Sequence, residues 1–320
     1  TLDEEITVTA PSPIVDVEAA DIAVTIDQNV LTNIPLKRDI LDVYQTAPAG
    51  VPRQSNNDYQ KSVTVAGGAF HESKISIDGV DLVDPSRGYI NSEVAFDAIE
   101  EVELVIGGHN AETGQVSAGF LNVVTKSGGN TFSGSITLGG TTDSLTQVVV
   151  PQEEIQSFKL LKPQLKEYKY DAGMGFGGPI IKDRIWFFVA PRYSTFKQST
   201  FFIPFTDPDG VHHPEYPNKR DDYIGFGKIT AQLTKNLKWF TMFQYNRGKE
   251  VPQMWAVTKT TSPLETNTIY DDDSYTTSSV LTYVMNQNTV LEGRFGMVYR
   301  TMRLIAGGDW EGPANRAFHN

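Results

Sequence analysis

Over residues 168 to 176 the side chains alternate strictly. Tyr168, Tyr170, Ala172, Met174 and Phe176 fall on one face, and Lys169, Asp171, Gly173 and Gly175 on the other. The same period of two returns where Leu237, Trp239, Thr241, Phe243 and Tyr245 oppose Lys238, Phe240, Met242 and Gln244. It returns again where Leu291, Gly293, Phe295, Met297 and Tyr299 oppose Glu292, Arg294, Gly296 and Arg300. Period two is the signature of β-strands with one apolar and one polar face. Seven such segments are expected near 131–140, 166–178, 183–197, 221–234, 237–248, 272–286 and 288–301. Their links alternate in length: long at 141–165, 198–220 and 249–271, short at 179–182, 235–236 and Gln287. A soluble sandwich has no reason to keep that alternation. An antiparallel transmembrane β-barrel does, with long loops at one end, short turns at the other, and aromatic residues at both interfaces.

Composition separates a second part from this one. Residues 1–129 hold 20 Asp and Glu against 7 Lys and Arg, and only 6 of the 34 aromatic residues. Within the first part, Ile22-Ala23-Val24-Thr25-Ile26 and Val15-Asp16-Val17 read as extended. Leu36, Ile40, Leu41 and Tyr44 behind Pro35 read as a helix that ends at Pro48 and Gly50. Short strands are expected at 62–65, 74–78, 101–106 and 120–125, separated by Gly67-Gly68, Asp78-Gly79 and Asp84-Pro85-Ser86. This is a small α+β unit with glycine-rich loops.

The whole chain has no cysteine, which excludes disulfides and thiolate chemistry. It has no apolar run long enough for a transmembrane helix. No charged-then-apolar leader stands at Thr1, so a signal peptide is expected to have been removed. The net charge of −12 argues against nucleic acid as a partner.

The run Ile99-Glu100-Glu101-Val102-Glu103-Leu104-Val105-Ile106-Gly107-Gly108 to Asn130, with Asn122-Val123-Val124-Thr125-Lys126-Ser127-Gly128-Gly129 at its end, resembles the closing signature of the plug domain of TonB-dependent outer-membrane transporters, the Oar-like branch above all. Ile34-Pro35-Leu36, Ile77-Asp78-Gly79-Val80-Asp81 with Asp84-Pro85, and Gly177-Gly178-Pro179-Ile180-Ile181-Lys182-Asp183 support it over residues 1 to about 197. The resemblance implies a TonB-box-like segment and linker at 1–13, a plug domain at 14–129 and the N-terminal part of a transmembrane β-barrel at 130–320. Where many relatives carry Arg before Gly-Pro, this chain has Ile106-Gly107-Gly108, so any plug-to-wall ion pair resting on that Arg must be made elsewhere. Eight strands leave no room for a plug, and a plugged lumen takes about 22. Seven strands are therefore expected to be the first part of a longer barrel.

The opening stretch Glu4 to Ala10 alternates like a strand but is cut off by Pro11 and Pro13. By resemblance, Glu5, Ile6, Thr7, Val8, Thr9 and Ala10 form the TonB box, which pairs edge to edge with a TonB-like energy-transducing protein. A frayed terminus is the competing reading. Phe70, His71, Arg87 and Tyr89 on glycine-flanked loops are the candidate ligand-binding residues.

Other constellations carry less. Gly173-Met174-Gly175-Phe176-Gly177-Gly178 satisfies a dinucleotide-binding pattern but lies inside a strand and ends at Pro179, so close packing is the better reading. His212-His213 are read as loop residues without the further partners a zinc site needs. Asp78, Asp81 and Asp84, like Asp271-Asp272-Asp273, are read as turn and strand-end chemistry in preference to a cation site. Phe201-Phe202-Ile203-Pro204-Phe205 with Trp255 form an apolar loop patch, either a binding site or loop packing. No catalytic set, cofactor or metal is expected. The leading expectation is energy-coupled import of a ligand of unread class across the cell outer membrane. Partners would be the energy transducer, outer-membrane lipid, and a surface lipoprotein or other outer-membrane protein. An outer-membrane docking barrel for surface or exported proteins, or a soluble β-sandwich binding module, are the alternatives.

Overall fold

The structure, a computed structural model, describes residues 22–33, 38–43, 50–53, 62–65, 72–84, 88, 90–106, 116–145, 166–198, 205–206, 212–213, 218–253 and 268–306. The alternating run after residue 21 forms β1 (Ile22–Asp27), and Asp27 ends it by capping α1 (Gln28–Asn33). The Val30 N–H donates to Asp27 Oδ1 at 2.9 Å, satisfying one of the helix's free amides. α1 was not expected, because its sequence is short and polar and Asp27 is its only signal. The expected helix appears as the single turn α2 (Ile40–Val43), whose Leu41 N–H donates to Asp39 Oδ1.

The remaining strands of this part are β2 (Gly50–Arg53), β3 (Ser62–Val65), β4 (Ser73–Ile77), β5 (Val80–Asp81), β6 (Ile99–Ile106) and β7 (Gly119–Thr125). The main sheet runs β1-β6-β7-β4-β5, with β4 and β7 parallel and the other pairs antiparallel. β3 lies outside that sheet and forms its own hairpin with β2. Asp78 and Gly79 both have positive φ, which is the two-residue turn that a tight β4–β5 hairpin demands. Alternation turns Val102, Leu104, Leu121 and Val123 inward onto Ile26, Leu41, Val43, Ile75 and Ile77, in a core continuous with Phe188, Ala190, Ile224, Phe226 and Met242 of the second part.

A second, all-antiparallel sheet follows: β8 (Ser133–Thr142), β9 (Lys166–Ile181), β10 (Ile185–Val189), β11 (Arg192–Gln198), then β14 (Asn218–Thr234), β15 (Leu237–Gln253), β16 (Thr268–Asn286) and β17 (Thr289–Ala306). The small pair β12 (Phe205–Thr206) and β13 (His212–His213) stands apart, so the two histidines lie in a short strand and not in a plain loop. β10 and β11 both pair with β9 and with β14. They are one strand interrupted at Ala190-Pro191, where proline has no N–H to give. Ala190 N–H still donates to Phe226 O. Counted so, the sheet has the seven strands expected, but they are longer. β16 has 19 residues, about 63 Å at the usual rise, well beyond the roughly 25 Å apolar band of an outer-membrane barrel. The pairing continues beyond Tyr275 through charged positions such as Asp271 to Asp273, where the outward apolar pattern is broken.

The two faces of this sheet differ as the sequence requires. Outward stand Tyr223, Phe243, Leu281, Phe295, Met297 and Tyr299, all exposed. Inward stand Ile224, Phe226, Lys228, Met242, Gln244, Thr276 and Ser278, all buried. The inner face is covered by the small α+β unit. Glycines on the wall let it come close. A Cβ on Gly173 would overlap the Asp97 carboxylate, and one on Gly296 would stand 2.6 Å from a methyl of Val80. The glycine-rich run of β9 is therefore a packing surface inside a strand. β8 and β17 are the two ends of the sheet path, and Ile136 and Leu138 on β8 are 75% and 78% exposed.

Candidate functional site

The inner unit and the wall are joined by side chains at three levels. Nearest the short turns, Lys228 of β14 donates to Asp78 Oδ2 at 3.0 Å, to Thr125 O at 3.0 Å and to Thr125 Oγ1 at 2.9 Å. Asp78 also takes the Thr125 N–H, and its carbonyl accepts from Ser278 on β16. Both charged side chains are almost fully buried, 5% and 3% exposed, so each is held by the other. Close by, Thr230 donates to the Ser127 hydroxyl at 3.1 Å. Asn130 accepts from the Asp183 N–H and the Trp186 indole, which staples the connection between the two sheets to the first short turn.

At mid-height, Arg38 has φ of 58° and bridges the two units. It donates to Asp97 at 2.6 Å and lies 3.4 Å from Asp171 of β9, which Arg192 of β11 holds at 2.6 Å. The ring of Phe96 lies under the Arg38 guanidinium. Lys126 donates to the Asp97 carbonyl, and burial lowers its pKa from the lysine value, against the pull of Glu100 and Asp97.

Toward the long links, residues 91 to 95 form a strap that the wall grips through amides. Gln244 Nε2 donates to Ser92 Oγ at 3.0 Å and to Glu93 O, and Gln244 Oε1 accepts the Ala95 N–H. Asn246 Nδ2 donates to Ser92 Oγ and Glu93 O, and Arg300 reaches Asn91 at 3.4 Å. Above the strap lies a cavity with about 40 Å³ of room for water, lined by Asp39, Glu93, Arg192, Arg220, Asp272 and Arg300 among others. Arg220 Nη1 and Asn246 Oδ1, both on its lining, have no hydrogen-bond partner among the described residues. Buried donors and acceptors of that kind are where ordered water or a polar ligand group is accommodated.

These contacts make the plug-to-wall ion pairs that Ile106-Gly107-Gly108 does not supply, through Arg38 and Asp171 and through Lys228 and Asp78. Sequence reasoning placed Met242 and Gln244 on opposite faces from Phe243, and so assigned the inward face, but nothing in one sequence matches Gln244 to Ser92. The carboxylate sets resolve into pairings. Asp81 lies 3.1 Å from Lys74, Asp271 3.7 Å from Arg247, Asp272 2.8 Å from Arg300, and Asp273 accepts from the Tyr245 hydroxyl. Glu5, Ile6, Thr7, Val8, Thr9 and Ala10 lie outside the described residues, as do Phe70, His71, Arg87, Tyr89, Phe201 to Pro204 and Trp255.

An open antiparallel sheet with an outward apolar face, wrapped about a small α+β unit, has counterparts among solved structures. The outer membrane transporter YddB from Escherichia coli superposes with a TM-score of 0.66 at 12% identity, over 86% of this chain and 38% of that one. The siderophore receptor PirA from Acinetobacter baumannii gives 0.55 at 15% identity, over 88% and 44%. The ferripyoverdine receptor of the outer membrane of Pseudomonas aeruginosa, bound to ferripyoverdine, gives 0.59 at 12%, over 92% and 36%. No protein-family model matches. By sequence the chain is 26% identical over 215 residues to the TonB-dependent transporter Oar of Myxococcus xanthus, covering 62% of this chain and 19% of that protein. The chain thus spans about a fifth of that relative and less than half of the structures. The fold is that of an outer-membrane receptor, a plug set in the first strands of a β-barrel. By sequence and by fold the chain is thus similar to TonB-dependent outer-membrane transporters and receptors.

Proposed function

We propose that this chain is the energy-coupled gate of a ligand importer, with a TonB-box segment and linker at 1–13, a plug at 14–129 and the first part of the barrel from 130 onward. The strap at 91–95 carries the reading. It is the floor of a charged cavity at the long-link end, and it is gripped by wall side chains through hydrogen bonds from the uncharged amides of Gln244 and Asn246. Such a floor registers a ligand arriving from outside and still lets go when pulled.

Phe70, His71, Arg87 and Tyr89 are proposed to meet the ligand. Glu5 to Ala10 are proposed to pair with a TonB-like protein through main-chain hydrogen bonds. The test is Ile6→Pro and Val8→Pro in the full-length protein. Each removes a strand donor, so energy-dependent uptake is expected to be lost while insertion in the outer membrane is unchanged. Uptake equal to that of the unmodified protein would refute the importer reading and leave a docking barrel for surface or exported proteins.

A further inference from the structure

The outer surface of the wall is ordered in layers that import does not use. Toward the long links it carries a row of tyrosines: Tyr193 beside Tyr223, then Tyr245, Tyr275 and Tyr299, in direct cross-strand register at three of the contacts. Ring centroids are 4.9, 5.0 and 6.4 Å apart for Tyr193–Tyr223, Tyr245–Tyr275 and Tyr275–Tyr299. A row of this kind marks the edge of the apolar band. Beyond it comes a layer of carboxylates turned back toward the rings. Tyr193 donates to Asp221 at 2.9 Å and Tyr245 to Asp273 at 2.7 Å.

Cations stand in the same cross-strand rows as these carboxylates. Arg247 stands opposite Asp273, Lys249 opposite Asp221 and Asp271, and Arg303 opposite Asp271. The cations are the exposed members. The Arg247 side chain is 49% exposed beside Asp271 at 13%, and that of Lys219 is 50% exposed beside Asp221 at 23%. Lys249 and Arg303 are exposed as well. Lys197 and Lys219 face one another directly across β11 and β14, a placement that repels unless anions lie nearby. Glu167 lies 2.7 Å from Lys197 and Asp221 3.0 Å from Lys219, so a carboxylate stands beside each ammonium group.

We propose that this girdle binds the phosphate groups of anionic lipids in the leaflet on the long-link side. The tyrosines set the depth, the carboxylates hold the cations in a ring, and the cations meet the headgroups. Each Lys or Arg near an anionic surface contributes about 1 kcal/mol, so neutralising one lowers relative affinity for anionic lipid about fivefold. The competing account is that the alternating charges of Asp221, Lys249, Asp271 and Arg303 only fix strand register.

The test reconstitutes the full-length protein into phosphatidylcholine vesicles and into an equimolar mixture with phosphatidylglycerol, and measures the temperature at which the compact folded form is lost. The unmodified protein is expected to melt higher in the mixture. A variant with Lys219→Gln, Lys249→Gln and Arg303→Gln is expected to melt at one temperature in both. Equal melting of the unmodified protein in the two lipids overturns the proposal. So does a variant that melts lower in both lipids but keeps the original difference, which is the signature of register alone. Inorganic phosphate added to phosphatidylcholine vesicles is expected to change nothing, and protection equal to that of phosphatidylglycerol would overturn the headgroup assignment. None of these outcomes depends on import.

Discussion

Lys228 shows how one residue ties strand chemistry to the plug. It occupies an inward position of β14 that in a water-filled lumen would be solvated, and here it is buried against Asp78 and the end of β7. Removing one partner of a buried pair leaves an uncompensated charge, at about 3 to 5 kcal/mol. Lys228→Gln is therefore expected to loosen the plug, read as a lower melting temperature of the full-length protein and faster proteolysis near Asp78. Adding Asp78→Asn to that variant is expected to recover part of the loss, and a strictly additive further loss would show that the two residues act independently. In the sequence, Asp78-Gly79 was legible as a turn and Lys228 as an inward polar residue. Their meeting was not, because 150 residues separate them and one chain gives no covariation to join them.

At the scale of elements, period two placed the strands and their faces, since every residue of a strand reports its side by parity. Strand ends and partners were less legible. β3 was read as a strand without a partner, and β2, with a glycine and a proline in four residues, gave no strand signal to pair it with. The link at 126–130 was read as the end of the closing signature, with no partner assigned, yet it is bonded to β14 and to the first short turn. This predicts that Ser127→Cys with Thr230→Cys forms a disulfide on mild oxidation, with the fold unchanged. The absence of native cysteine makes the cross-link readable as a single gel shift. Failure to cross-link in the folded, membrane-inserted protein would mean that the plug's exit is not held against β14.

For the molecule as a whole, the sheet's two open ends decide what this stretch does on its own. In hydrocarbon an unpaired backbone group costs several kcal/mol, and β8 and β17 each present a full row of them. Residues 1–320 expressed alone are expected to yield no heat-resistant, gel-compact species in detergent, whereas the full-length protein yields one. A compact species from the piece alone would contradict the open-sheet architecture. The class of fold was legible here from link lengths and strand count together. The residues proposed to meet a ligand rest on resemblance and on their glycine-flanked loops, because such loops carry no period from which a position is read.

The glycines of the wall have one more consequence. Gly173 on β9 and Gly296 on β17 are shallow slots, one receiving the carboxylate of Asp97 and the other the methyls of Val80. They lie on strands far apart around the circumference, so the plug is seated like a key cut for two wards. It cannot turn about the barrel axis without driving a side chain into backbone. A force along the barrel axis would therefore act on a body whose bearing is already fixed, and motion along the axis or unravelling of the plug is what remains to it.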